Sequence, residues 1–140
     1  MTSTSTSEKT VQFAGANNES VNGYLSVHAE SASFPGVIVI QEVWGVTEFI
    51  KETTRHFAAQ GYAAIAPDLY SRLTNPDVST LETARKAIGT LSDAQVMQDL
   101  QGAAQHLRDL PGFNGRIGVI GFCAGGRYTI IFGVQGKGVD

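Results

Sequence analysis

The sequence predicts a three-layer α/β/α sandwich, an α/β fold in which a mainly parallel sheet lies between helices. Short runs of β-branched and apolar residues, such as VIVI at residues 37–40, alternate with longer segments whose apolar residues recur at helical spacing. The connections between them are short, as in right-handed βαβ crossovers. In such sheets ligands bind at the carboxyl ends of the strands, so the residues that follow each strand are the candidates for a functional site.

The strands are predicted from their apolar runs. We expect two antiparallel leading strands at residues 11–13 and 22–28, followed by buried strands at residues 37–40, 63–66 and 116–122. The last three runs are apolar without alternation, which is typical of parallel strands covered on both faces.

Four helices are predicted between and after these strands. The first follows an N-cap at Thr47 and covers residues 48–60, with an apolar stripe formed by Phe49, Ile50, Thr53 and Phe57. Capping boxes at residues 79–82 (SxxE) and 92–95 (SxxQ) predict the starts of the next two. A fourth helix is predicted over residues 124–132.

Composition narrows the range of functions. The 140 residues, 42% of them hydrophobic, fit one globular domain, which we place at residues 11–140 after a disordered Ser/Thr-rich tail at residues 1–10. A net charge of −3 without clustered Lys and Arg argues against nucleic-acid binding. No apolar run reaches the roughly 18 residues of a membrane span, so we expect no membrane association. The single cysteine, Cys123, cannot form an internal disulfide, and we predict a cytoplasmic location.

The sequence GFCAGG at residues 121–126 lies between a predicted buried strand and a predicted helix. This is the G-x-nucleophile-x-G layout of a nucleophile elbow, in which a sharp turn exposes the central side chain. Residues two before and two after the nucleophile must be small for strand and helix to approach, and Gly121 and Gly125 meet that need. The pattern therefore predicts that Cys123 is a nucleophile.

The predicted position of Cys123 also suits its chemistry. At a helix N-terminus, the dipole and the free N–H groups favour a thiolate. The backbone N–H of Ala124 would then point at an oxyanion that develops during attack on a carbonyl.

Residues 37–70, followed by the elbow, resemble the dienelactone hydrolase family, whose members are carboxymethylenebutenolidase-like α/β-hydrolases. The most specific parts are the QExxG stretch at residues 41–45 and the elbow, which has Gly126 as its third glycine. The resemblance implies the α/β-hydrolase fold and a Cys-His-Asp triad. It also implies that a small carboxylic ester or lactone is hydrolysed through an acyl-thioester, and that no cofactor is needed.

The resemblance also implies roles for single residues. Cys123 matches the nucleophile, and Glu42 matches an auxiliary glutamate that helps to generate the thiolate. The N–H of Val43 matches a second oxyanion-hole donor beside that of Ala124. Packing alone does not easily explain a carboxylate after a buried strand, and a partly desolvated glutamate can accept a proton from a thiol.

Three further residues are candidates for the substrate pocket: Trp44, Tyr70 and Arg85. Trp44 is an equally good candidate for a core aromatic residue. Family members that act on dienelactones have an arginine and a tyrosine around residues 81–85 to hold the substrate carboxylate. Here Leu81 and Arg85 occupy those positions, and a lone helix arginine is commonly solvated. The sequence therefore does not identify the preferred ester.

The triad histidine and acid that the resemblance implies are absent from this chain. No histidine follows Cys123, and we expect His28, His56 and His106 to lie at the surface. We therefore interpret the chain as the N-terminal part of an α/β-hydrolase, truncated after the elbow and its helix and inactive alone. Such a chain would have an uncovered sheet edge at residues 116–122, through which it would self-associate.

Two other functions remain open at this stage. One is a class I amidotransferase-like enzyme, since those proteins also pair a cysteine elbow with carboxylates on a parallel sheet. The other is a non-catalytic thiol-sensing or binding module, which needs a reactive thiol but no histidine. No group of His, Cys, Asp or Glu has the spacing of a metal site, and no phosphate-binding glycine motif follows a strand.

Overall fold

A computed structural model describes residues 6–28 and 32–135. Its strands are β1 (Thr6–Ala14), β2 (Ser20–His28), β3 (Phe34–Ile40), β4 (Ala63–Pro67) and β5 (Phe113–Gly121). Its helices are α1 (Glu48–Ala59), α2 (Leu81–Gly89), α3 (Asp93–Arg108) and α4 (Ala124–Gln135), and a short 3-10 helix at Ala16–Asn18 joins β1 to β2.

The five strands form one sheet in the order β1-β2-β4-β3-β5. β3 lies between β4 and β5 and is parallel to both. β2 lies between β1 and β4 and is antiparallel to both. The predicted α/β/α sandwich with a mainly parallel centre and two antiparallel leading strands is therefore confirmed. The carboxyl ends of β3 and β5 are in register, with Ile40 paired to Gly121.

Apolar side chains cover both faces of the sheet. On one face, α3 and α4 pack on the larger core, whose buried members include Ile38, Ile65, Leu100, Leu107 and Phe132. On the other face, α1 covers a smaller group of buried residues formed by Val39, Ile50 and Ala66. Burial of this kind stabilises a fold by about 25 cal/mol per Å² of apolar surface, so both faces of the central strands contribute.

The predicted apolar stripe of α1 is wrong in part. The buried residues are Ile50, Thr54 and Ala58, whereas Phe49 is 50% exposed. Thr54 is compatible with burial because its hydroxyl donates to the carbonyl of Ile50 at 2.7 Å. Gly61 has a φ of 100°, as expected for the residue that ends the helix.

The start of α2 is displaced by one residue from its predicted position. The N-cap is Thr80, whose hydroxyl accepts from the Thr83 N–H at 3.1 Å in a capping box. The predicted cap, Ser79, instead donates to Asp77 Oδ1 with its N–H at 2.9 Å and with its hydroxyl at 2.5 Å, so its side chain is used in a preceding turn. For α3 the predicted cap is confirmed, since the Ser92 hydroxyl accepts from the Gln95 N–H.

The N-terminal prediction also needs correction. Residues 6–10 belong to β1 and pair antiparallel with residues 24–28 of β2, so the sheet continues into the polar segment predicted to be disordered. The rest of the predicted tail, residues 1–5, lies outside the described residues. At the opposite edge, β5 is bordered only by β3 in the described sheet, and of its apolar residues only Ile117 is fully buried.

A buried ion pair ties the outer hairpin to the helical layer. Arg72 donates two hydrogen bonds to Asp99, at 2.6 and 2.8 Å, and Asp99 is 1% exposed. Asp99 also accepts from the Ala16 N–H at 2.8 Å, and Arg72 donates to the Ala16 carbonyl at 3.1 Å. The pair therefore joins three segments that are distant in sequence: the β1–β2 connection, the loop after β4, and α3.

Candidate active site

The elbow lies where the sequence predicts it, between β5 and α4. Cys123 has a φ of 57°, in the left-handed region that residues with a side chain rarely adopt, and it is exposed. Such conformations cost about 1–3 kcal/mol and persist where the surrounding structure imposes them. Here the chain turns from β5 to α4 within two residues, Phe122 and Cys123, and this turn presents the thiol at the carboxyl end of the strand.

The close approach of α4 to the strands explains two of the three elbow glycines. A Cβ on Gly121 would collide with the Gly125 carbonyl, and a Cβ on Gly125 would lie 2.6 Å from the Gln41 carbonyl oxygen and also collide with that of Ile40. Gly126 differs from both, because the nearest atom to a Cβ there is 3.7 Å away. The steric requirement therefore applies to Gly121 and Gly125 and not to Gly126.

The first turn of α4 leaves one backbone donor, the Ala124 N–H, without a helical partner beside the thiol. The Gly125 N–H donates to the Phe122 carbonyl and the Gly126 N–H to the Cys123 carbonyl, both at 2.9 Å, which closes the turn around the cysteine. Ala124 is the first residue of the helix, so its N–H has no acceptor within the helix.

The loop after β3 lies next to the elbow. Because Ile40 pairs with Gly121 and the two strands are parallel, Glu42 and Cys123 occupy matching positions two residues beyond that pair. Adjacent strands are about 4.8 Å apart, so the two side chains start from neighbouring backbones at the carboxyl end of the sheet. Glu42 is partly exposed, whereas Val43 is buried.

Two buried side chains hold this loop. Gln41 accepts from the Leu69 N–H at 2.9 Å through Oε1 and donates to the Glu42 carbonyl at 3.2 Å through Nε2. The Tyr70 hydroxyl donates to the Val43 carbonyl at 2.6 Å. The loop between β4 and α2 therefore anchors the segment that contains Glu42 and Val43.

Two titratable groups follow β4. Burial is the main cause that raises the pKa of Tyr70 to about 12, with the nearby Tyr128 and Asp68 adding to it. Burial also raises the pKa of Asp68, and the Tyr70 N–H that donates to its Oδ1 at 2.9 Å opposes this.

Comparison with known proteins identifies the family. The family model described as "Dienelactone hydrolase family" matches residues 21–140. The chain belongs to the dienelactone hydrolase family. A "Putative carboxymethylenebutenolidase" of Methylorubrum extorquens is 37% identical over 85% of this chain and 42% of its own length, and the "Carboxymethylenebutenolidase" of Pseudomonas putida is 33% identical over 81% and 51%.

Solved structures agree with this assignment. The crystal structure of a "Putative Dienelactone Hydrolase" from Klebsiella pneumoniae subsp. pneumoniae is 30% identical, with a TM-score of 0.90 over 97% of this chain and 57% of that one. The chain spans about half the length of the curated relatives it matches. Family membership decides against the amidotransferase-like alternative.

The three predicted pocket residues differ in their burial and in their position relative to the elbow. Tyr70 is only 6% exposed and its hydroxyl is bound to the loop after β3, so it supports that loop and does not line an open pocket. Trp44 is exposed near Glu42. Arg85 is exposed and lines a depression of about 570 Å³ formed entirely by residues of α2, none of which belongs to the elbow.

The three histidines lie away from the elbow. His56 is exposed on α1 and lies 3.9 Å from Glu52, whereas His28 ends β2, next to the sheet edge opposite β5. His106 is half-buried against the ring of Phe13 in β1, at that same far edge, and does not lie fully at the surface as predicted. Burial and the charge of Lys9 lower the pKa of His106.

Two general findings concern ligands and membranes. Within residues 6–28 and 32–135, no three His, Cys, Asp or Glu side chains are grouped as metal ligands. In this same part of the chain, no helix has the length and apolar character to cross a bilayer.

Gln41 has no role of its own in the sequence-based prediction, in which it is only part of the QExxG stretch. The available sequence signal is a polar amide directly after the apolar run at residues 37–40 and before the predicted site, since a polar group next to buried residues needs hydrogen-bond partners.

Proposed function

We propose that the protein hydrolyses small carboxylic esters or lactones by nucleophilic attack of Cys123. The observation that best supports this is the left-handed conformation of Cys123 at the N-terminus of α4, beside the loop that contains Glu42 and Val43. This arrangement would offer a nucleophile, a proton acceptor and two backbone donors at the carboxyl end of the sheet. Its components match those of an acyl-transfer site.

The reaction would proceed in two halves. The Cys123 thiol gives its proton to Glu42, and the sulfur attacks the carbonyl carbon, so that an S–C bond forms and the carbonyl electrons move onto oxygen. The N–H groups of Val43 and Ala124 stabilise this oxyanion. Collapse breaks the C–O bond, and the leaving oxygen takes up the proton that Glu42 received from the thiol. Water then attacks the thioester, which releases the carboxylic acid and restores the thiol.

The relatives indicate a substrate class. One is named "Probable 2-oxo-3-(5-oxofuran-2-ylidene)propanoate lactonase" in Bradyrhizobium sp, and it is 32% identical over 84% of this chain. We propose that this protein also acts on an unsaturated lactone or a small ester. In a lactone the leaving oxygen stays attached to the acyl group, so ring opening gives a hydroxy acid, or its keto form where the leaving group is an enol.

A non-catalytic thiol module is the second candidate. It is favoured by one observation: Cys123 is exposed, and each of the three described histidines lies elsewhere in the fold. Such a protein would react with electrophiles or oxidants through its thiol and would not turn over an ester.

Kinetics on the full-length protein distinguish the two functions. We expect turnover of p-nitrophenyl acetate and of a five-membered unsaturated lactone, loss of turnover in Cys123→Ala, and slower iodoacetamide alkylation of Cys123 in Glu42→Gln. The matched control is Glu52→Gln, because Glu52 is an exposed glutamate of α1 that contacts only His56 among the described ion pairs. Rapid alkylation without turnover would refute the hydrolase and support the thiol module.

Two predictions remain alongside this proposal. Self-association through the β5 edge is expected wherever that edge is uncovered, since an unpaired strand edge can recruit another chain. Size-exclusion chromatography at several concentrations tests it. The cytoplasmic location also stays a prediction.

A further inference from the structure

The Gln41 side chain lies directly after β3 and has no exposed surface. Its Oε1 accepts from the Leu69 N–H, and its Nε2 donates to the Glu42 carbonyl. Only one orientation of the amide satisfies both partners, because the first is a donor and the second an acceptor. The side chain is therefore fixed in direction as well as in place.

The Glu42 carbonyl and the Val43 N–H belong to the same peptide unit. All peptide bonds of the described chain are trans, so this N–H points opposite to that carbonyl within one plane. Two donors hold the carbonyl, Gln41 Nε2 at 3.2 Å and the Gly45 N–H at 3.3 Å. Because these two donors fix the direction of the Glu42 carbonyl, they also fix the Val43 N–H, which points away from Gln41 and Gly45. No acceptor within the described chain binds the Val43 N–H.

We propose that Gln41 is a positioning residue for the oxyanion hole, acting through the Glu42–Val43 peptide. This inference rests on the proposed function, because it assigns the Val43 N–H to an oxyanion. Gln41 touches neither substrate nor the reacting atoms. It holds the Glu42–Val43 peptide in the orientation that the oxyanion needs before the reaction begins.

A second buried side chain, that of Tyr70, fixes the neighbouring peptide in the same way. Tyr70 donates to the Val43 carbonyl, so the peptides on both sides of Val43 are held from the β4–α2 loop. Free rotation of either peptide would break a buried hydrogen bond, which explains why the Val43 N–H can remain without an internal acceptor.

Two reactions of the same thiol test the role of Gln41. Acylation of Cys123 by p-nitrophenyl acetate passes through an oxyanion, and its rate is the burst of p-nitrophenol. Alkylation by iodoacetamide displaces iodide at a saturated carbon and forms no oxyanion. In full-length Gln41→Met, we expect acylation to slow by about 10–100-fold while alkylation stays within about twofold.

A matched variant controls for lost stability. Thr54→Val removes another fully buried hydrogen bond to the backbone, on α1, and should leave both rates unchanged. Should Gln41→Met fail to fold, Gln41→Asn retains an amide that is one methylene too short to bridge both partners, and it should show the same selective loss of acylation.

The outcomes separate the two proposals. Equal acylation in Gln41→Met and the wild type, or an equal fall in both reactions, refutes the positioning role while the hydrolase stands. Absence of acylation in the wild type refutes the proposed function, and the role of Gln41 with it.

Discussion

Substitution of Gly125 by alanine measures how tightly the elbow is fitted. The new Cβ would lie 2.6 Å from the Gln41 carbonyl oxygen, whereas ordinary contact begins at 3.4 Å, so α4 must retreat by at least about 0.8 Å, and further to clear the closer Ile40 carbonyl oxygen. The obstacle is strand backbone and cannot rotate away. Overpacking of this kind costs about 1–3 kcal/mol.

Gly126→Ala provides the matched comparison. Both glycines lie in the first turn of α4, so the gain of about 1 kcal/mol in helix propensity is shared and cancels in the difference. We expect Gly125→Ala to be less stable than Gly126→Ala by about 1–3 kcal/mol in urea unfolding followed by circular dichroism. Acylation of Cys123 should also slow only in Gly125→Ala. Equal stabilities and equal acylation rates would refute a steric requirement at Gly125.

Three further predictions test other features. Cys123→Gly should be more stable than Cys123→Ala by about 1 kcal/mol, because glycine adopts φ of 57° without strain; urea unfolding measures this, and the reverse order would contradict it. Asp99→Asn should cost about 3–5 kcal/mol by breaking a buried ion pair, whereas Asp93→Asn, which breaks an exposed pair, should matter far less in the same assay. The raised pKa of Tyr70 means that its stabilisation is complete below about pH 10 and is lost as the pH rises towards 12. Tyr70→Phe should therefore lose less stability than the wild type over that interval, and identical losses in a pH series of unfolding curves would exclude this origin.

The sequence predicted the parallel centre of the sheet and the elbow well because both depend on local patterns. Residues 37–40 form a continuous apolar β-branched run, which is typical of a strand covered on both faces, and the glycines around Cys123 reflect a local collision. These features need no knowledge of distant partners. The family resemblance then connected the elbow with Glu42 and Val43.

Other predictions failed where a distant or competing partner decides. Phe49 has the spacing of a core residue, but it packs edge-to-face on Phe122 near the sheet end and stays half exposed. Ser79 has the sequence pattern of an N-cap, but its hydroxyl donates to Asp77 instead. The role of Gln41 depends on Leu69, 28 residues away, and no local pattern shows that contact.

The Arg72–Asp99 pair links the β4–α2 loop, which supports the candidate site, to the β1–β2 hairpin. It binds Ala16, 56 residues before Arg72 and 83 before Asp99, and Arg72 lies in the same β4–α2 loop as Leu69, which anchors Gln41. Detachment of the β1–β2 hairpin would therefore release that loop in the same subglobal opening. Amide hydrogen exchange at Ala16 and Leu69 would then report one shared opening equilibrium. A lesion in the hairpin would lower the fraction of molecules with an organised oxyanion loop, without altering the chemistry of those that remain closed.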